Sequence, residues 1–129
     1  MSEASKPAIG SIGWCDLTVV AADTVRDFYR DVVGWTATEL DMGGYADYVM
    51  SQPFNGTATT GVCWSRGANE GLPPAWLVYF VVASLERSLA QVRERGGAVL
   101  REPGSSGDGR FAVVRDPAGA VCALYENGD

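Results

Sequence analysis

A chain of 129 residues, 47% hydrophobic and 20% charged, suffices for one compact domain that buries roughly two-thirds of its unfolded surface. Ten Lys and Arg against sixteen Asp and Glu leave a net charge of -6 and a pI near 4.5, so no nucleic acid and no anionic membrane surface is expected as a partner. The sequence holds no histidine, which removes imidazole both as a metal ligand and as a proton shuttle.

The longest apolar run, Ala75 to Ala83, is about half of what a membrane-spanning helix needs. Residues 1–10 show neither the basic start nor the apolar stretch of a secretory signal, and Cys15, Cys63 and Cys122 are too widely spaced to suggest a disulfide framework. A cytoplasmic protein is expected.

In chain order, an N-terminal tail (1–11) precedes a strand over Ile12–Val20. Asp23–Val33 then places Val25, Phe28, Tyr29, Val32 and Val33 at helical spacing, and Gly34 stands where the helix should end. Strands follow at Trp35–Leu40, Tyr45–Met50 and Thr59–Trp64, the last two separated by a turn at Pro53-Phe54-Asn55-Gly56. A linker over 65–75, rich in Gly and Pro, leads to a second series. Its strand is Trp76–Val82, and its helix Leu85–Arg95 carries Leu85, Leu89 and Val92 on one face before Gly96-Gly97. The remaining strands are Ala98–Arg101, Arg110–Arg115 and Ala120–Tyr125, the last two joined by Asp116-Pro117-Ala118-Gly119. Gly104–Gly109 leads into a strand, not a helix, so it lacks the geometry of a phosphate loop and reads as a mobile lid.

The two series are one unit used twice. Leu17 and Phe80, Val19 and Val82, and Gly34 and Gly97 stand at a constant separation of 63 residues. The last hairpin is shorter in the second copy, and matching Cys63 to Cys122 there gives a separation of 59. The organisation expected is a first βαβββ module over 12–64 and a second over 76–126. Neither copy can cover its sheet alone, so the two should share one core.

Asp27-Phe28-Tyr29, Val33-Gly34-Trp35, Trp14-Cys15-Asp16-Leu17, Pro73-Pro74-Ala75-Trp76 and Arg115-Asp116-Pro117-Ala118-Gly119, set in this doubled unit, resemble the vicinal oxygen chelate superfamily, which includes glyoxalase I, bleomycin-resistance proteins and extradiol dioxygenases. The resemblance implies an α+β fold in which the modules form an open, curved, eight-stranded sheet around a cup, and a two-fold homodimer. It also implies that four cup-facing positions hold metal ligands. Here those positions are Trp14, Leu77 and Ala123, with Trp64 as the fourth on the Cys63/Cys122 match. None offers a donor to a cation, so no metal and no cofactor is expected.

Strand alternation puts Trp14, Asp16 and Thr18 on the cup face, with Leu77, Tyr79 and Val81 from the repeat, and Val62, Trp64, Val121, Ala123 and Tyr125 completing it. The cysteines, one residue out of phase, should point toward the helices as small core residues. Tyr48 and Arg110 lie on strands of ambiguous phase. The ligand-binding set is therefore Trp14, Asp16, Thr18, Trp64, Leu77, Tyr79, Ala123 and Tyr125. Asp16 is the candidate catalytic carboxylate, its pKa raised if it is buried and lowered if Arg110 is close. Such a lining suits a small aromatic or apolar organic ligand. The alternatives are a metal-independent lyase or isomerase using Asp16 or Tyr79, and a protein-interaction module.

Overall fold

The computed structural model describes residues 6–128. Eight strands and two helices follow in the order β1 (Ile12–Val19), α1 (Ala22–Val33), β2 (Thr36–Asp41), β3 (Ala46–Ser51), β4 (Ala58–Trp64), β5 (Trp76–Val81), α2 (Leu85–Glu94), β6 (Ala98–Ser106), β7 (Gly109–Arg115) and β8 (Val121–Glu126). They form an open mixed sheet of order β2-β3-β4-β1-β5-β8-β7-β6. Within it β1 pairs parallel with β4 and β5 parallel with β8, while β2·β3, β3·β4, β6·β7 and β7·β8 are antiparallel. The βαβββ order expected from the sequence is present twice.

The described residues divide into two compact units, one spanning Cys15–Trp76, the other taking in residues 6–14 and 77–128. In the first, α1 lies on its sheet through Ala22, Val25 and Tyr29, which meet Val19, Tyr48, Met50, Val62 and Trp64. This stripe is narrower than the five-residue one expected, because Phe28, Val32 and Val33 are exposed. Ala22 is fully buried, and the seven-residue step from it to Tyr29 fixes which side of the helix meets the sheet. The helix ends as the sequence suggests. Gly34, at φ 89°, donates its N–H to the Arg30 carbonyl, a left-handed conformation that a residue with a Cβ resists.

In the second unit, Leu85 and Leu89 of α2 pack on Ala112, Val114 and Leu124, with Val92 alongside. Ser84 caps this helix by accepting the Arg87 N–H at 3.3 Å, and the Glu126 carboxylate accepts the Leu85 N–H at 2.7 Å. Both oxygens satisfy donors that a helix N-terminus leaves open. Of the expected tail (1–11), residues 1–5 lie outside the described residues. The rest is tied down: Gly10 N–H donates to the Val81 carbonyl, Val81 N–H to the Ser11 carbonyl and Asn127 Nδ2 to the Pro7 carbonyl.

Within the expected linker, Gly67–Asn69 forms a turn of 3-10 helix. One expectation needs correction. The glycine-rich stretch is not a lid, since Gly104, Ser105 and Ser106 pair with Phe111, Arg110 and Gly109 across a hairpin. Its glycines accommodate the tight Gly107-Asp108 connection, with Gly107 at φ 57°.

Leu85→Ala is expected to lower the free energy of unfolding by about 2–5 kcal/mol in a urea titration, since its side chain is fully buried. Phe54→Ser, at a residue 99% exposed, should stay within about 0.5 kcal/mol of the parent.

Candidate functional site

The site follows from which way each strand faces. In β1·β4 the paired residues are Asp16 and Gly61, Leu17 and Val62, Thr18 and Cys63, Val19 and Trp64. Partners side by side in a ladder share a face, and faces alternate along each strand. Val19, Val62 and Trp64 pack against the α1 cluster, so Asp16, Thr18 and Cys63 occupy the opposite, helix-free face.

This overturns the expected phase of β4. Trp64 is not beside Trp14, Asp16 and Thr18. Its ring joins the α1 cluster and its Nε1 donates to the Ala46 carbonyl at 2.9 Å. The physical reason is area. An indole buries about 150–250 Å², far more than a thiol, so burial under α1 selects the phase that covers Trp64. Val62 turns to α1 with it, and Cys63, expected to face the helix, turns away. Cys122 does pack on the α2 cluster, so the two cysteines are not equivalent. The ladders match Asp16 with Tyr79 and Gly61 with Ala123, which makes Gly61 the fourth counterpart position.

On the helix-free face of the first unit, Asp16, Thr18, Asp47 and Cys63 are all buried. Asp47 Oδ1 accepts the Trp64 backbone N–H at 2.9 Å, and the Asp47 carboxyl group is also hydrogen-bonded by the Cys63 thiol. Burial raises the pKa of Asp47 from the ordinary carboxylate value, and those two donors offset the rise in part. Burial also pushes the Cys63 thiol far up, helped by the charges of Asp16 and Asp47 and by its hydrogen bond to Asp47. Cys63 is therefore a neutral donor at physiological pH and not a nucleophile. Asp47 was missed because strand 45–50 has no clear alternation, and Cys63 because the matching of like residues misled the register.

On the helix-free face of the second unit, Tyr79 pairs with Ala123, and Phe111 pairs with Tyr125. The Tyr79 and Phe111 rings lie 5.6 Å apart, tilted by 46°. Leu77, Tyr79, Val81, Phe111, Val113 and Ala123 are buried, whereas Tyr125 is half-buried. Gly109 makes room for the Tyr125 ring, since a Cβ there would stand 2.5 Å from its hydroxyl oxygen. Trp14 is half-buried on β1. The two weaker candidates turn the other way. Tyr48 belongs to the α1 cluster with Arg26 stacked 4.5 Å above its ring, and Arg110 pairs with Glu86 at 2.8 Å and Glu126 at 3.5 Å.

With the register corrected, the four positions at which the resemblance implies metal ligands carry Trp14, Gly61, Leu77 and Ala123. An indole N–H, a hydrogen and two aliphatic groups give a cation no lone pair, so these residues do not fit a metal ion. Among the described residues no group of three or more Cys, Asp or Glu side chains is arranged to hold one, Asp16, Asp47 and Cys63 included.

A doubled βαβββ sheet with these helix-free faces defines a member of the glyoxalase class of folds. The model of the Glyoxalase/Bleomycin resistance protein/Dioxygenase superfamily matches residues 11–124, and the chain belongs to that superfamily. It is 28% identical over 128 residues to the Mycobacterium tuberculosis protein named "Putative glyoxylase CFP32", covering 98% of this chain and 49% of that one. It is 32% identical over 120 residues to the anthracycline biosynthesis protein DnrV of Streptomyces peucetius, covering 91% of this chain and 42% of that protein. The chain thus spans about half the length of the curated relatives it matches. Among solved structures, a variant of Streptomyces coelicolor methylmalonyl-CoA epimerase in complex with 2-nitronate-propionyl-CoA has the same fold, with a TM-score of 0.58 at 16% identity, covering 95% of this chain and all of that one. Among the described residues no helix is long and apolar enough to cross a membrane.

A carboxyl whose folded pKa is raised holds its proton more tightly folded than unfolded. Above the unfolded value of 3.8, Asp47 therefore subtracts stability as the pH rises through its folded pKa. Asp47→Asn keeps an acceptor for the Trp64 N–H and removes that titration. The difference in unfolding free energy between variant and parent, measured by urea titration at several pH values, should shift in favour of the variant on going from pH 4 to neutrality. A constant difference would show that Asp47 titrates normally.

Proposed function

We propose that this protein binds a small, planar or apolar organic molecule on the helix-free side of its sheet without a metal ion. The observation that carries the reading is the chemistry of the counterpart positions in the second unit, where Trp14, Leu77 and Ala123 offer a ring, an apolar wall and space and no donor to a cation. The aromatic row Tyr79, Phe111 and Tyr125 supports it, because aromatic-lined faces with few polar groups are typical of small-molecule sites. One relative adds to the chemical class: DnrV is named for the biosynthesis of anthracyclines, which are flat polycyclic compounds.

The roles follow from residue type. Trp14 offers a ring to stack on, Tyr125 an aromatic body with a polar tip, and Ala123 the room that a longer side chain would fill. Asp16 is the candidate catalytic carboxylate in the lyase or isomerase alternative. Burying one large apolar group contributes about 1.5–3 kcal/mol before ordering costs, so several such contacts reach micromolar affinity without a cation.

Titration with an anthraquinone, followed by quenching of tryptophan fluorescence and by calorimetry, should show saturable binding without product. Trp14→Ala is expected to weaken it about 2–10-fold, the scale of one aromatic contact of about 0.5–1.5 kcal/mol, while Trp64→Phe leaves it unchanged. Equal binding by the parent and Trp14→Ala would remove Trp14 from the site, and absence of binding across a panel of planar compounds would overturn the reading. Turnover of such a compound, lost in Asp16→Asn with the fold intact, would favour the lyase or isomerase alternative instead.

A further inference from the structure

β2 is the outermost strand of the first unit, with β3 on one side and no strand of the described residues on the other. Its ladder with β3 runs from the Thr36–Ser51 pair to the Asp41–Ala46 pair without a shift of register. Just past it, Met42 donates its N–H to the Tyr45 carbonyl at 2.8 Å. Along an antiparallel pair, residues that exchange hydrogen bonds alternate with residues that turn both backbone groups outward. Leu40, Thr38 and Thr36 therefore follow Met42 inward, and Ala37, Glu39 and Asp41 present their N–H and C=O groups at the open edge. β6, at the other end of the strand order, is guarded. Its register shifts between Val99 and Arg101 and again between Arg101 and Gly104, and Pro103 has no N–H to offer.

The side chains give the β2 edge a charge. Glu39 stands beside Tyr48 and Asp41 beside Ala46, so both exposed carboxylates lie on the α1 side of the sheet, where Tyr48 packs. Leu40, 50% exposed, lies on the other side. A hollow of about 550 Å³ opens at Glu39, Asp41, Gly44, Tyr45 and Ala46, with no cation in its lining. The sequence has no Lys or Arg between Arg30 and Arg66, and the ion pairs of the described residues involve neither Glu39 nor Asp41. The two arginines that reach the adjoining tyrosines are engaged there. Arg66 lies 4.1 Å over the Tyr45 ring, and Arg26 lies 4.5 Å over that of Tyr48 while pairing with Asp27 at 2.8 Å.

We propose that β2 is a docking edge for an extended segment of another protein in which cationic residues alternate with apolar ones. The segment adds a strand through the outward backbone groups of Ala37, Glu39 and Asp41. Its residues on the α1 side bring Lys or Arg to the hollow and the two carboxylates, and those between them fall on the other face against Leu40. Charge decides against a second copy as occupant, because two β2 strands side by side would gather four carboxylates along one seam, and like charges on an edge strand discourage self-pairing. Exposed ion pairs are individually weak, so the backbone supplies the attachment and the carboxylates select the partner.

The test uses a fluorescein-labelled peptide of alternating lysine and valine, about as long as β2, followed by fluorescence anisotropy and by amide hydrogen exchange read by NMR. Its controls are a peptide of the same composition with the lysines and valines in two blocks, one of alternating glutamate and valine, and the first peptide N-methylated along its backbone, which keeps the charge and removes the N–H donors. The alternating lysine peptide should bind saturably and slow the exchange of the Ala37, Glu39 and Asp41 amides, with all three controls weaker. Glu39→Gln combined with Asp41→Asn, in which the amide still accepts the Gly43 N–H that Asp41 takes at 2.9 Å, should weaken binding about 2–10-fold. No binding to the folded protein, equal binding of the block or N-methylated peptide, equal binding by the double variant, or protection on β6 in place of β2 would overturn the proposal. Dimerisation without peptide that protects these same three amides would also overturn it, since the edge would then belong to a second copy.

Discussion

Burial of Trp64 and Val62 beneath α1 decides the chemistry of the first unit. A strand has only two faces, and a shift of one residue moves every side chain to the other side. Once α1 covers Val19, Val62 and Trp64, the ladder partners Asp16, Thr18 and Cys63 must face the opposite way. Asp47 then holds the choice in place, because its carboxylate binds both the backbone N–H of Trp64 and the thiol of Cys63. A carboxyl group is thus buried as part of the strand register, with its pKa raised as a consequence.

The doubled unit shows how one backbone carries two kinds of surface. Asp16 and Gly61 in the first unit stand where Tyr79 and Ala123 stand in the second. By the same ladders, Cys63 corresponds to Tyr125 and Asp47 to Phe111. The first copy places two carboxylates and a thiol on its helix-free face, and the second an aromatic row. Both copies keep the helix side apolar, with Val62 and Met50 under α1 and Leu124 and Val114 under α2. Packing against the helix constrains one face of each sheet, and the other face is left to vary in chemistry.

The strand and helix order was legible in the sequence because Gly34, Gly96 and the Asp116–Gly119 turn punctuate it, and because Leu85, Leu89 and Val92 recur at helical spacing. The helix-free face of the second unit was legible too, since Leu77, Tyr79 and Val81 alternate with residues on the α2 side. The face of β4 was not. Gly61, Val62, Cys63 and Trp64 are all uncharged, so alternation alone does not say which pair lies beneath the helix. The likeness of Cys63 to Cys122 then drew Trp64 into the wrong face. Asp47 carried the correcting signal, as a carboxylate within an apolar strand, but its meaning depends on the Trp64 amide, which only the folded ladder brings near. The breadth of the α1 stripe was overestimated for a related reason, since periodicity counts Phe28 and Val32 as inward while the close approach at Ala22 turns them out.

The most direct test of a metal-free ligand face is elemental analysis of protein purified without chelators, combined with anthraquinone titration before and after chelator treatment. The expected result is far less than one equivalent of zinc, nickel, iron or manganese and an affinity unaltered by the chelator. One equivalent of ion, with ligand binding that disappears on its removal and returns on its restoration, would contradict the proposal that the chain binds an organic ligand without a metal.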